Sequence, residues 1–223
     1  TPSHTLQPLL KKGLILKPFL KLIDFFLLAL RFRHAQRLDR GMERWHNGSG
    51  RLFAAAEGGI HMEAVYHAAT KEELACLWEK NVLANPADPR WAKWAREYTA
   101  YNENGMGITF AAVLEGEPVG EATLLLSPAC GAIEGRLALA DGKSVGNVNA
   151  LRMEKRWEGQ GHMSRLVGVL EGYAKKRGLE ALTIGVDAKE TRNLGIYLHW
   201  GYREFVMAQE EEGELVLYYR KNL

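Results

Sequence analysis

Arg156-Trp157-Glu158-Gly159-Gln160-Gly161-His162-Met163-Ser164 is the stretch from which the fold of this chain can be read. A strand-like run, Val145 to Met153, precedes it. A helical pattern follows, in which Leu166, Val169, Leu170, Tyr173 and Ala174 recur at i, i+3, i+4, i+7 and i+8. That helix has a clear stop: Lys175, Lys176 and Arg177 complement its negative end, and Gly178 supplies the terminating residue. A strand that turns through two glycines into a helix N-terminus gathers unpaired backbone N–H groups and the positive end of the helix dipole at one point. Anionic phosphate is the natural ligand of such a point.

Spacing excludes two phosphate loops. The nucleotide P-loop needs Lys and then Ser or Thr after its last glycine, and His162 and Met163 occupy those places. The dinucleotide fingerprint needs three glycines where this loop has Gly159 and Gly161. On these residues alone a plain surface turn and a phosphate-binding turn are both open, and the rest of the chain decides between them.

The chain has 223 residues, 47% hydrophobic and 25% charged, a composition that excludes disordered and fibrous classes. Its two cysteines, Cys76 and Cys130, lie far apart without CxxC spacing. Free thiols in a reducing, cytoplasmic setting fit this better than a disulfide framework, and no metal site is expected. The net charge of +2 hides an asymmetry: residues 1–61 hold ten basic and four acidic side chains, a balance of +6, while residues 62–223 hold 19 basic and 23 acidic, a balance of −4.

The basic segment is dominated by Leu14 to Leu30, interrupted by Lys17, Pro18, Lys21 and Asp24. Its longest apolar run, Phe25 to Leu30, is far short of the ~20 residues of a membrane-spanning helix, and no small-residue cleavage site follows at signal-peptide distance. Three readings stay open: a translated leader ahead of a native start at Met62, a helix docked on the protein or a second copy, and a basic amphipathic helix on a membrane surface. The leader reading draws on Glu57-Gly58-Gly59, whose codons can spell a purine-rich ribosome-binding sequence shortly before Met62.

From Met62 the pattern is regular. Met62 to His67 predicts a short strand. Thr70 with Glu73 three residues on predicts a capping box, and Leu74, Leu77 and Trp78 give the helix its apolar face. A second helix is expected from Asp88-Pro89, presenting Trp91, Trp94, Ala95 and Tyr98 on one side, a stripe that reads as core or as part of a pocket wall. Ile108 to Leu114 and Val119 to Leu126 predict a hairpin through Glu115-Gly116-Glu117-Pro118, and Asp141-Gly142 predicts a turn before the central strand. Beyond the glycine loop and its helix, Ala181 to Val186 predicts a buried strand, Thr191 to Trp200 a short helix, and Arg203 to Ala208 and Leu215 to Tyr219 two strands joined by an acidic turn.

This order of strand, two helices, three strands, helix, strand, helix and two strands resembles the GNAT superfamily of acetyl-CoA-dependent N-acetyltransferases. Arg156, Gly159 and Gly161 match that family's coenzyme A loop: Gln or Arg, two variable residues, Gly, one variable residue, then Gly or Ala. Tyr197, Gly201 and Tyr202 are similar to its C-terminal signature of Tyr, three residues, Gly and an aromatic. The resemblance covers residues 62–223, leaving 1–61 as an N-terminal extension. It implies a mixed α/β fold with a largely antiparallel sheet whose fourth and fifth strands splay apart.

The resemblance also implies roles. Backbone groups around Leu151, Arg152 and Met153 would bond the cofactor, a free N–H there polarising the thioester carbonyl. The segment Arg156, Trp157, Glu158, Gly159, Gln160, Gly161, His162, Met163 and Ser164 would hold the pyrophosphate of acetyl-CoA, and Tyr197 would donate a proton to the departing thiolate. Two departures from the family stand out. The place of an Asn that contacts coenzyme A is Glu190, with Asn193 nearby instead, and the fourth strand carries no carboxylate through Leu151. The general base is therefore open among Glu121, Glu103, Glu154 and a chain of water. The expected acceptor is a small amine or a peptide amine. Nucleic acid and stable membrane insertion are not expected, and a homodimer is compatible with the sequence. A non-catalytic acyl-CoA-binding module is the competing reading, with a nucleic-acid or membrane binder driven by the basic extension as the third.

Overall fold

The computed structural model describes residues 64–223. The expectations for residues 1–61 and for Met62 lie outside the described residues. The elements run β1 (Val65–Ala68), α1 (Lys71–Ala84), α2 (Arg90–Glu103), β2 (Gly107–Leu114), β3 (Glu117–Leu125), β4 (Val145–Met153), α3 (His162–Lys176), β5 (Ala181–Asp187), α4 (Thr191–His199), β6 (Glu204–Glu211) and β7 (Glu214–Asn222). The strands form one seven-stranded sheet in the order β1-β2-β3-β4-β5-β7-β6. Only the β4–β5 pair is parallel, so the mixed, largely antiparallel α/β architecture is as expected.

Local chemistry explains the boundaries. Thr70 Oγ1 accepts the Glu73 N–H at 3.2 Å while Glu73 Oε2 accepts the Thr70 N–H at 2.8 Å, a complete capping box that starts α1. α2 begins at Arg90 with Pro89 as its capping residue, one residue later than the expected Asp88 cap and Pro89 start, while Asp88 Oδ1 accepts the Arg90 N–H at 3.0 Å just ahead of the helix. Both hairpins turn on a Glu-Gly pair with positive φ at each residue: 58° and 78° at Glu115-Gly116, 50° and 83° at Glu212-Gly213. That backbone twist matches the twist of the flanking strands and fixes register over a two-residue loop. It also carries β6 and β7 further toward their turn than the apolar pattern alone suggests.

At the end of α3, Gly178 (φ +87°) donates to the Lys175 carbonyl and Leu179 to the Ala174 carbonyl, each at 3.0 Å. These two bonds close the helix in a Schellman motif.

The sheet is covered on both faces. On one, α3 lays Leu166, Leu170 and Ala174 on Phe110, Ala122, Leu124, Val148, Leu182 and Ile184. On the other, α1 and α2 lay Leu74, Trp78, Tyr98 and Tyr101 against Leu125 and Tyr218. Cys130, Ile133, Leu139 and Ala140 complete this second core from the connection between β3 and β4, a segment the sequence reading passed over except for its final turn. Each buried leucine or isoleucine contributes roughly 1.5–3 kcal/mol of burial. The central strands are thereby fixed from both sides.

Candidate active site

β4 and β5 separate. They pair from Val145↔Ala181 to Val148↔Ile184 and no further, while β4 continues along β3 through Thr123↔Asn149, Glu121↔Arg152 and Gly120↔Met153. The second half of β4 therefore presents its β5 side without a strand partner. Between Asn149 and Arg152 β4 carries one residue more than β3 does, and this bulge puts Ala150 at φ +50°. A non-glycine residue there is strained unless its surroundings hold it.

A chain of hydrogen bonds supplies the hold. Asn149 Oδ1 accepts both the Ala150 N–H at 2.8 Å and the Tyr98 hydroxyl at 2.7 Å. Asn149 Nδ2 donates to Asn147 Oδ1 at 3.2 Å, Asn147 Nδ2 to Thr183 Oγ1 at 2.9 Å, and Thr183 Oγ1 to the Leu139 carbonyl at 2.7 Å. The splayed strand is thus anchored to α2 on one side and to β5 and the β3–β4 connection on the other.

β4 leads through a single 3₁₀ turn, Lys155–Trp157, into the glycine loop. Gly159 (φ +75°) and Gly161 (φ +82°) are both left-handed, which is what confines these positions to glycine, since a Cβ would meet open space at either. The first α3 bond outside its own span runs from the Arg165 N–H to the Gly161 carbonyl at 3.2 Å, and no side chain caps the helix. The helix N-terminus at the mouth of the splay is therefore open to an anion.

The residues singled out in the sequence occupy distinct positions. Leu151, Met153 and Met163 pack against the core beneath α3. Glu158, Gly159, Gln160, Gly161 and Ser164 are exposed. Gln160 Nε2 donates to the Arg156 carbonyl at 2.9 Å, and the Arg156 guanidinium lies over Trp157 and pairs with Glu154 at 3.0 Å. The His162 side chain turns inward: it is 8% exposed, packs against the Trp157 ring, and meets the Tyr66 hydroxyl. What it offers the loop is its backbone N–H. Asn193 Nδ2 donates to Glu190 Oε2 at 3.4 Å in the first turn of α4.

Tyr197 and the loop are brought together through Trp200, whose ring lies 5.6 Å from that of Tyr197 and whose Nε1 donates to Ser164 Oγ at 3.1 Å. Burial, reinforced by the charge of Glu190, pushes the Tyr197 hydroxyl up to about 12. It therefore holds its proton at neutral pH. Tyr202 is fully buried, donating to Glu171 Oε1 at 3.1 Å, and Lys221 pairs with the same carboxylate at 2.6 Å, so the C-terminal strand is tied to α3.

The three carboxylates considered as a base separate clearly. Glu103 pairs with Lys71 at the surface, and Glu154 pairs with Lys80 and Arg156. Glu121 is completely buried on β3, accepting from Asn81 Nδ2 at 2.7 Å and from Arg152 at 2.6 Å. Burial raises its pKa against the opposing pull of the Arg152 charge. Sequence reasoning missed this pair as a unit. Its signal was available in two opposite charges, each isolated in an otherwise apolar or neutral strand run.

A sheet opened between two parallel strands, with a glycine turn and a bare helix N-terminus at the opening, defines an acyl-CoA-dependent N-acyltransferase. Residues 64–202 match the profile of the acetyltransferase (GNAT) family, and the chain belongs to that family. It is an acetyltransferase of GNAT type. Among solved structures, it is similar to a putative acetyltransferase from Acinetobacter baylyi ADP1 (TM-score 0.57, 15% identity, 74% of this chain and 95% of that one). It is also similar to a ribosomal-protein-alanine N-acetyltransferase from Brucella melitensis (0.54, 16%, 71% and 99%). A third likeness is to yncA, a putative acetyltransferase from Salmonella typhimurium solved with acetyl-CoA (0.54, 12%, 72% and 94%). No curated protein matches the chain. Among the described residues no group of three or more His, Cys, Asp or Glu is placed to hold a metal, and no helix is long and apolar enough to cross a membrane.

Proposed function

We propose that the protein transfers an acetyl group from acetyl-CoA to a primary amine in the cytoplasm, both substrates being bound at once. The observation that carries this is the separation of β4 from β5 with the open N-terminus of α3 at its mouth. The residues fit the co-substrate: left-handed Gly159 and Gly161 and the uncapped helix start form a cradle for a pyrophosphate, and the free side of β4 around Leu151, Arg152 and Met153 suits a pantetheine amide chain. Acetyl-CoA supplies an activated thioester. The chain contributes the rest.

In this reading the backbone at Leu151 polarises the acyl carbonyl, stabilising charge where it develops on oxygen. Tyr197, kept protonated by burial, gives its proton to the departing sulfur. Arg156 and Ser164 flank the phosphate cradle, with Asn193 on the neighbouring helix. An acceptor amine that is protonated at pH 7 gives that proton to a chain of water before attack, and the proton shed by the nitrogen on acylation balances the one that Tyr197 gives to sulfur. The acceptor is a small amine or a peptide amine, and likeness to a ribosomal-protein-alanine N-acetyltransferase keeps the second class in view.

Calorimetric titration of acetyl-CoA into the full chain tests the first half of this reading, with 1:1 binding expected. A screen of amines read by thiol release tests the second. Absence of binding by a folded sample withdraws the proposal; binding without turnover on a broad panel makes the protein an acyl-CoA-binding module.

A further inference from the structure

Arg152 belongs to the splayed half of β4, and its side chain leaves the sheet on the face covered by α1 and α2. Its guanidinium carbon lies 4.4 Å from the centroid of the Trp78 ring and 4.8 Å from that of Trp91. Stacking of this kind uses the flat of the guanidinium and leaves its edge for hydrogen bonds. One edge donor goes to Glu121 Oε1 at 2.6 Å, and among the described residues no other acceptor meets this group. A guanidinium has five N–H donors in a planar fork, and this side chain is 23% exposed. The remaining donors of the fork thus have no acceptor among the described residues.

Two buried atoms beside the same guanidinium also lack hydrogen-bond partners: the Trp78 Nε1–H, a donor, and Glu121 Oε2, an acceptor. Buried polar atoms in folded proteins are rarely left in this state. The unused donors of Arg152, the partly exposed member of this group, suit an acceptor-rich ligand. A planar carboxylate matches an in-plane guanidinium fork better than any other small group that accompanies an amine. Glu121, clamped by Asn81, holds the fork in place and offsets its charge in the free protein.

The surrounding elements make this a built site. Trp78 comes from α1, Trp91 from the start of α2, Glu121 from β3 and Arg152 from β4. The start of α2 is fixed in turn by Arg90, which pairs with Asp88 and, across the molecule, with Glu212 in the β6–β7 turn.

We propose that Arg152 binds a carboxylate of the acceptor, so that the acceptor is a carboxylate-bearing amine of the amino-acid class rather than a polyamine or an amino sugar. The proposal rests on the acetyl-transfer reading above and narrows it. Arg152 and Leu151 are chain neighbours on the open strand, so an acceptor held by its carboxylate keeps its amine within a small molecule's length of the opening. Glu121 is a positioning residue for Arg152.

The test is initial-rate thiol release by the full chain with acetyl-CoA and matched acceptors: each α-amino acid against its amide and against the amine lacking the carboxyl group. The acids are expected to be favoured at least about tenfold in kcat/KM, the effect of one charged hydrogen-bonding partner. Arg152→Gln should abolish that preference by raising KM for the acids relative to that for the amides, and Arg152→Lys should restore only part of it, because an ammonium lacks the fork. Amides or decarboxylated amines turned over as well as the acids by the wild-type protein would overturn the proposal, as would turnover of no acid at all. The wild-type comparison decides even where Arg152→Gln does not fold. Failure of acetyl-CoA to bind in calorimetry overturns the acetyl-transfer reading itself, and so separates the two failures.

Discussion

The Tyr66 hydroxyl lies 2.6 Å from His162 Nδ1, joining the first strand of the sheet to the first residue of the helix that follows the glycine loop. In the neutral tautomer that carries its proton on Nε2, Nδ1 accepts from the hydroxyl. Burial, with the charge of Arg165 behind it, lowers the His162 pKa from 6.5. The loop's helix is thus moored by a histidine whose surroundings favour its uncharged form.

This fixes the sign of a pH effect. The unfolded chain takes up a proton at His162 near pH ~6.5 and the folded protein only at lower pH, so the unfolded state binds more protons in between. Stability is full above that window and declines as pH falls through it. Urea unfolding at pH 7.5 and 5.5 should show the loss in the wild type and a smaller one in His162→Gln. An equal loss in both would show that the imidazole is not its source.

Tyr197→Phe should leave the fold intact, because the ring packing against Trp200 is kept. If the hydroxyl is the general acid, kcat falls by roughly 10²–10⁴-fold while acetyl-CoA affinity in calorimetry stays within about twofold. A hydroxyl held up to about 12 donates and does not act as a base, so the variant should also lack any alkaline fall in rate that reports its ionisation. Unchanged turnover removes the role.

Gly161→Ala adds a methyl group to open space but forces an L-residue into φ +82°. The strain is about 1–2 kcal/mol, and it falls where the phosphate cradle must keep its shape. Thermal stability should drop and acetyl-CoA should bind about tenfold more weakly or worse. Gly168→Ala is the matched control. It also meets open space, but lies within α3, where alanine is worth roughly 0.5–1 kcal/mol over glycine, so it should stabilise the protein and leave binding unchanged.

How much of this was legible in the sequence depends on the range of the interaction. Local signals read through: the Thr70–Glu73 box and the Gly178 stop are each settled within a few residues. The splay of β4 from β5 follows from resemblance alone, since no alternation of apolar residues says where two strands part company. The bulge at Ala150 left no local mark, because alanine has no preference for positive φ; Asn149 and Tyr98 impose it from outside. The Arg152–Glu121 pair is a register effect. It exists because those two residues face each other across β3 and β4, and register was not fixed by sequence pattern. The segment between β3 and β4 has no periodicity from which to assign elements, although Ile133 and Leu139 are fully buried in the second core.

Asp141 is where that segment hands over to β4. Its Oδ1 accepts the N–H groups of Lys143, Ser144 and Val145, each at 2.8 Å, and its Oδ2 accepts the Ser144 hydroxyl at 3.0 Å. Burial alone would raise this carboxyl, but the backbone donors outweigh it and hold the pKa down at about 2 against 3.8. A depressed carboxylate contributes stability that is present above its unfolded pKa and lost as pH falls through the folded one. The window therefore runs from pH about 4 to about 2. Asp141→Asn keeps an acceptor oxygen and loses the charge, so it should cost about 1–2 kcal/mol at neutral pH. Denaturant titration at pH 5 and pH 3 should show the gap between the two proteins narrowing at the lower pH. A gap that stays constant would mean that the turn depends on the shape of the side chain and not on its charge, and that the entry into β4 is set by Gly142 and the strand ladder instead.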